Sequence, residues 1–308
     1  MAQRLYVISG PTAGGKTAAA IEVCKVLDGE VVSADSMQVY RGFRVLAAKP
    51  SEEEMQGVRH HLLDRVDPSE KYNASRFRED ADKAIEDIQK RGRLPIVCGG
   101  TGLYIDALTR GMKMSEEADE ALRLKLKKRA EEPDGPEALH KELEKVDPAS
   151  AAKYPPGDVR RVIRSLEIYA LTGKTRGEQE SEDACLPDRY DAAVYALFWE
   201  RKELYRRIDL RVDQMVRQGL IEEVEHLMHS PVAVQETAAQ AIGFKEIQAA
   251  LLNRTTMREA IEKVKINTHH LAKRQETWLR RDKRTVWIDA SRDPGKQILK
   301  LIMEDRAL

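Results

Sequence analysis

Short, nearly unbroken apolar runs alternate along the first hundred residues with longer stretches in which apolar residues return every three or four positions. Leu5-Tyr6-Val7-Ile8 and Glu30-Val31-Val32-Ser33-Ala34 are too short for ordinary helices and carry β-branched residues, which predicts buried strands. Lys16 to Leu27, between them, is helix-compatible. Phe77, Ala81, Ala84, Ile85 and Ile88 line one face of a further predicted helix that Arg91-Gly92-Arg93 closes. Leu94-Pro95-Ile96-Val97-Cys98 then reads as another buried strand, running into Gly99-Gly100-Thr101-Gly102. This alternation predicts an α/β fold, a parallel sheet flanked by helices on both faces. Ligands should gather at the carboxyl ends of its strands.

The texture changes between about Met112 and Pro187. Strand-like runs vanish, and charged helical patterns are interrupted by Pro133-Asp134-Gly135-Pro136 and Tyr154-Pro155-Pro156-Gly157. We read residues 113–187 as a helical insertion in a core domain made of 1–112 and 188–308. The sheet resumes with Asp191–Trp199, helices follow from Arg201 to Met228 and from Glu259 to Arg281, and Val286–Asp289 reads as one last short strand. Charged residues make up 34% of the chain and no window approaches the ~20 apolar residues of a membrane span, so a soluble protein without a membrane role is expected. The N-terminus enters the first strand without a leader pattern. Cys24, Cys98 and Cys185 lie far apart, which predicts packing residues in a reducing compartment, the cytoplasm.

Candidate chemistry begins directly after the first strand. Gly10-Pro11-Thr12-Ala13-Gly14-Gly15-Lys16-Thr17 is a complete G-x-x-x-x-G-K-[ST] phosphate loop, and strand, glycine-rich turn and helix together aim backbone N–H groups at one point. Such a point binds a polyphosphate. Lys16 is placed on its terminal phosphates and the Thr17 hydroxyl on Mg²⁺. A phosphate-loop NTPase keeps an Asp at the end of a buried strand for that metal, yet the interior strand here ends Cys98-Gly99-Gly100 without one. Asp35 is the nearest acidic candidate. It ends the second strand beside Ser36, Met37, Gln38 and Tyr40, groups suited to an organic substrate that makes hydrogen bonds. Arg207 is a further candidate for the diphosphate.

Formal net charge is zero, with 52 basic and 52 acidic residues, but its distribution is uneven. Between Arg254 and Arg284 ten Lys/Arg face four acids, a local excess of six that suits a polyanion. Arg160, Arg161 and Arg164 share another helical segment, where they could grip RNA phosphates. The loop by itself also suits ATP, so a small-molecule or nucleotide kinase stands as the alternative, the insertion serving as its lid.

These residues resemble the tRNA dimethylallyltransferases, also called tRNA isopentenyltransferases. The resemblance runs from the phosphate loop through Asp35-Ser36-Met37-Gln38-Val39-Tyr40, Ala48-Lys49-Pro50 and His60-His61-Leu62 to Gly99-Gly100-Thr101-Gly102-Leu103-Tyr104. It continues through Arg160-Arg161-Val162-Ile163-Arg164, Thr172-Gly173-Lys174, Ala241-Ile242-Gly243-Phe244-Lys245-Glu246 and Lys273–Arg280. It implies a phosphate-loop NTPase-like core with a helical insertion, and transfer of a dimethylallyl group from dimethylallyl diphosphate to N6 of the adenine just 3′ of the tRNA anticodon. Lys16, Thr17, Asp35 and Thr101 would be catalytic, with Asp35 the base. Asp35–Gln38, Thr101, Arg160–Arg164, Gln240–Lys245, Lys273, Arg274, Gln275, Trp278 and Arg280 would meet the tRNA, Gln38 reading the extruded base and Trp278 equally suited to packing. The chain lacks the C-terminal zinc finger of many eukaryotic members and so resembles the bacterial form, with the anticodon stem-loop as partner and a monomer expected. His60 and His61 match the family without a mechanistic role.

Overall fold

In the computed structural model, which describes residues 3–113 and 120–307, the chain divides into two compact units. Residues 1–109 and 189–308 form the first, and residues 110–188 the second. Among the described residues of the first unit the strands are β1 (Gln3–Ser9), β2 (Gly29–Ser33), β3 (His60–His61), β4 (Leu94–Cys98), β5 (Tyr190–Phe198) and β6 (Thr285–Asp289). They make one sheet in the order β3-β2-β4-β1-β5-β6, with every neighbouring pair parallel. The apolar runs are unbroken because both faces are covered. Tyr6, Ile8, Ile96, Tyr195 and Leu197 pack with the helices Lys16–Leu27 and Pro294–Arg306. Leu5, Val7, Val32, Val97 and Val194, of opposite parity, are equally buried. The helices Ala74–Lys90 and Gly102–Thr109 run beside that sheet, with Phe77 stacked on Tyr104 at 4.3 Å.

The order of strands places three turns side by side. The phosphate loop leaves β1, Asp35 follows β2 and Thr101 follows β4, and these strands are neighbours. Their shared carboxyl-terminal edge is where the chemistry gathers.

Several elements differ from the sequence expectation. The two-residue β3 carries no apolar run; it pairs with β2 at the sheet edge, and its His61 meets the Glu30 carboxylate. Glu30, fully buried at the start of β2, meets His61 at 2.6 Å, Arg93 at 3.0 Å and Arg91 through both carboxylate oxygens. His61 thus has a structural role, and His60 bonds the Val58 carbonyl at 2.9 Å. The helix read from Glu259 starts at Met257, because Thr256 and Glu259 form a reciprocal cap. Arg201–Met228 divides into Arg201–Arg217 and Leu220–His229 at Gly219, whose φ of 98° no helix interior accommodates. Cys24 and Cys98 are buried as expected, but Cys185 is exposed and packs nothing.

The second unit is helical: Glu120–Ala130, Gly135–Val146, Pro148–Lys153, Val159–Thr172 and Arg176–Ala184. Leu126, Leu139, Leu143, Tyr154, Val162 and Leu166 form its own core. Residues 114–119, within the segment read as the insertion, lie outside the described residues.

The Glu30 cluster yields a stability prediction. Hydrogen bonds from Arg91, joined by those of His61 and Arg93, push the Glu30 carboxyl from 4.5 down to about 2. Its contribution is therefore complete above pH 4.5 and is lost as pH falls toward 2. Glu30→Ala should cost about 3 kcal/mol at pH 7, the low end for breaking a buried ion pair, because both arginines stay partly solvated. Urea unfolding of both proteins at pH 7 and pH 3 checks this, and the difference between them should shrink at the lower pH.

Candidate active site

The phosphate loop is shaped by two backbone requirements. Gly10 has φ 144°, and a Cβ there would lie 2.9 Å from the Leu197 carbonyl on β5. Gly15, at φ 91°, turns the chain into the helix Lys16–Leu27. The N–H groups of the first helical turn have no intrahelical acceptor and carry the positive end of the helix dipole, so they converge on the loop's hollow.

Distant side chains hold the loop in place. Trp199 Nε1 donates to Gly14 O at 3.0 Å, Arg207 Nε donates to Ala13 O at 3.1 Å, and the Arg207 guanidinium lies over the Trp199 ring at 4.3 Å. Gln275 accepts the Thr12 N–H at 2.8 Å. Lys16 Nζ donates to Pro11 O at 2.8 Å, within its own loop. Desolvation of its ammonium, reinforced by nearby Arg211, pushes Lys16 down to about 8 against the pull of Asp35.

The turn after β2 is equally built. Asp35 Oδ1 accepts from Met37 N at 2.8 Å and from Gln38 N at 3.3 Å, which closes the turn and leaves Oδ2 as the oxygen able to take a proton. Thr101 pins this turn to β4: its N–H donates to Ala34 O at 3.1 Å, and its Oγ1 accepts the Ser36 N–H at 3.1 Å. Gln38 is engaged inside the protein, accepting from Ser33 Oγ at 3.0 Å and donating at 3.4 Å to Ala48 O. Reading a base would require it to exchange those bonds.

Arg211 was not singled out from the sequence. It sits one helical turn after Arg207, donates to Ala48 O at 3.3 Å, and lies within electrostatic range of both Asp35 and Lys16. Burial pushes its guanidinium below the ordinary value. The i, i+4 spacing to Arg207 was the available signal. Lys16, Arg207 and Arg211 thus set positive charge around the loop, with the Asp35 carboxylate beside them.

The other sequence-predicted residues divide by exposure. Lys273, Arg274 and Arg280 are exposed on the helix Met257–Arg281, Arg280 over the Trp287 ring at 5.2 Å. Gln240 and Lys245 are exposed, and with Ala241, Ile242, Asn267 and Arg274 they line a cavity of about 310 Å³. Trp278 is half-buried and donates to Asp106 at 2.7 Å, so its packing role is the one realised. Gln275 is half-buried and turned toward the phosphate loop and the turn after β4. Gly243 is buried at φ 108°, where its backbone turns into the next helix. Ala241 and Phe244 are also buried, as are Val162 and Ile163 in the second unit, so their side chains pack within the segments that carry them. Arg160 and Arg161 are exposed on Val159–Thr172, with Arg161 paired to Asp158. Arg164 bonds Glu167 at 3.3 Å.

The IPP transferase family model matches residues 38–282. A tRNA dimethylallyltransferase of Thermomicrobium roseum is 47% identical over 292 residues, 94% of this chain and 87% of the relative. That of Geobacillus thermodenitrificans is 45% identical over 98% of this chain and 95% of its own. Among solved structures, the Bacillus halodurans tRNA isopentenylpyrophosphate transferase is 40% identical, with TM-score 0.73 over 98% of this chain and 96% of that one. A eukaryotic dimethylallyltransferase described as acting on tRNA is 32% identical, with TM-score 0.77 over 94% of this chain and 74% of that one.

The state of Lys16 makes anion binding depend on pH. Burial holds its ammonium down to about 8, whereas a bound polyphosphate favours the charged form. Binding above pH 8 must therefore take up a proton, and affinity should weaken as pH rises from 7 to 9. Calorimetric titration with inorganic pyrophosphate in two buffers of different ionisation enthalpy measures that uptake, and Lys16→Met should reduce it to the protons that pyrophosphate itself exchanges.

Proposed function

Because the chain belongs to the IPP transferase family of tRNA dimethylallyltransferases, we propose that it transfers a dimethylallyl group from dimethylallyl diphosphate to the N6 amine of the adenine 3′-adjacent to a tRNA anticodon, releasing diphosphate. The observation that carries this reading is the juxtaposition of a phosphate loop after β1 with a carboxylate-bearing turn after β2, the latter pinned by Thr101 in the turn that follows the strand between them. A kinase is not favoured: it offers no role for the basic helix, and the matched relatives named above are tRNA prenyltransferases.

The chemistry follows from the groups present. The bond from the allylic carbon to the diphosphate oxygen breaks as negative charge grows on the leaving group. Lys16, Arg207, Arg211 and the N–H groups of the first helical turn stabilise that charge. The adenine amine attacks the allylic carbon, and Asp35 Oδ2 takes the amine proton as the C–N bond forms, a contribution of ~10²–10⁴-fold. The target base leaves the anticodon stack to reach this edge of the sheet. Thr101 holds the Asp35 turn.

For a divalent cation the donor set is sparse. Among the described residues no three His, Cys, Asp or Glu side chains cluster as ligands. The Thr17 hydroxyl at a phosphate loop fits Mg²⁺ carried mainly by the diphosphate, with water completing its shell. Bound there it would neutralise charge on the leaving group. Lys273, Arg274 and Arg280, with Gln240 and Lys245, offer the exposed basic surface for the anticodon stem-loop, and Arg160 and Arg161 a second one on the insertion. No described helix is long and apolar enough to cross a membrane, which suits a monomeric cytoplasmic enzyme acting on free tRNA.

Incubation with radiolabelled dimethylallyl diphosphate, Mg²⁺ and bulk tRNA should give acid-precipitable label; label absent from RNA but present on a small acceptor given ATP would favour the kinase. Asp35→Asn keeps the turn closed and removes only the proton acceptor, so single-turnover transfer should fall by at least ~10²-fold with pyrophosphate affinity unchanged. Reversing Lys273 and Arg280 to Glu should raise the apparent constant for tRNA and spare that for dimethylallyl diphosphate. The log–log salt slope should flatten by ~1 unit for each phosphate that the variant no longer neutralises. Measurement of both constants at two salt concentrations checks it.

A further inference from the structure

The long basic helix Met257–Arg281 reaches the site with its inner face. Gln275 spans two turns that lie far apart in sequence: its Oε1 accepts the Thr12 N–H at 2.8 Å, and its Nε2 donates to the Gly100 carbonyl at 3.0 Å. Both ends of the amide are thereby used inside the protein. The glycines opposite are shaped for this helix, since a Cβ at Gly100 would lie 2.2 Å from Gln275 Nε2 and one at Gly102 would lie 2.3 Å from the Trp278 ring. The run Gly99-Gly100-Thr101-Gly102 is thus a seat for the helix rather than a second anion loop.

We propose that Gln275 is a positioning residue that sets the phosphate loop against the turn holding the acceptor's base. The inference rests on the function proposed above and assigns this side chain a part in it that is neither RNA contact nor catalysis. On one side Gln275 fixes Thr12, the shoulder of the loop, and leaves the N–H groups at the helix N-terminus free for an anion. On the other it fixes Gly100, whose neighbour Thr101 holds the Ser36 N–H and, through it, the Asp35 turn. The leaving group and the proton acceptor stand on separate strands, so their spacing depends on a link between the two turns. A misplacement of about 1 Å between reacting groups costs ~10²-fold in rate. The amide adds no charge to the site, so its effect is one of distance.

Gln275→Met keeps the length of the side chain and removes both bonds; Gln275→Glu keeps an acceptor for Thr12 and loses the donor to Gly100. Hydrogen exchange with inorganic pyrophosphate reads the link without any transfer reaction. In the wild type pyrophosphate should slow exchange over residues 10–17 and 99–104 together, and in both variants over 10–17 only. Single-turnover transfer should fall ~10- to 100-fold in Gln275→Met, with both apparent substrate constants within about threefold of wild type. Placed on Asp35→Asn, the same change should cost less than about threefold, because the spacing it protects no longer matters. Protection of 99–104 that survives in both variants overturns the proposal, as does a loss confined to the tRNA constant or an equal loss in both backgrounds. Wild-type protein that shows the coupled protection yet transfers no label contradicts the function and leaves the link standing.

Discussion

Everything at this site depends on holding a loop of free backbone N–H groups open against the tendency of polar groups to pair. A phosphate loop works by leaving donors unsatisfied, and such a loop has little stability of its own. Here it is held at its carbonyls and its shoulder instead. Trp199 and Arg207 take the carbonyls of Gly14 and Ala13, and Gln275 takes the Thr12 N–H, which lies outside the helix N-terminus. Lys16 Nζ donates to the Pro11 carbonyl of the same loop. The donors that remain are those the helix cannot use.

The parallel sheet brings this loop together with two further turns. Because β2, β4 and β1 are adjacent and parallel, the turns after them emerge on one edge, and each contributes a different part: a carboxylate, a fastener and an anion cradle. The opposite end of β2 carries the buried Glu30, which meets His61 of the edge strand β3 on one side and Arg91 and Arg93, just before β4, on the other. One short strand therefore leads into the Asp35 turn at its carboxyl end and carries ion pairing at its start. The exposed lysines and arginines of the helix Met257–Arg281 face outward, while Gln275 and Trp278 of the same helix face the core unit's turns. A single helix can thus present a basic surface and fix the site behind it.

Much of this was legible in the chain. Apolar runs without alternation located β1, β2, β4 and β5, because strands buried on both faces need no polar side. The loop motif located the turn between β1 and the helix Lys16–Leu27, where Gly10 and Gly15 take backbone angles that other residues rarely adopt. What stayed hidden depended on long-range pairing. β3 is two histidines with no strand signature, paired to β2 and bonded through His61 to Glu30. Arg211 reads as another charge on a solvated helix until Lys16 and Asp35 are found beside it. The inward turn of Gln275, and the burial of Val162, Ile163, Ala241 and Phe244 within motifs assigned to RNA, are set by which face of each helix packs, which motif resemblance does not encode.

The central claim is that one edge of the sheet holds the leaving diphosphate on the loop and presents the acceptor amine to Asp35. A crystal structure with an anticodon stem-loop and a non-reacting thio analogue of dimethylallyl diphosphate tests it most directly. The account predicts the diphosphate on the N–H groups of Gly15, Lys16 and Thr17, and the extruded adenine with N6 within hydrogen-bonding distance of Asp35 Oδ2. A diphosphate bound elsewhere, or an adenine whose N6 meets a different base, would contradict it.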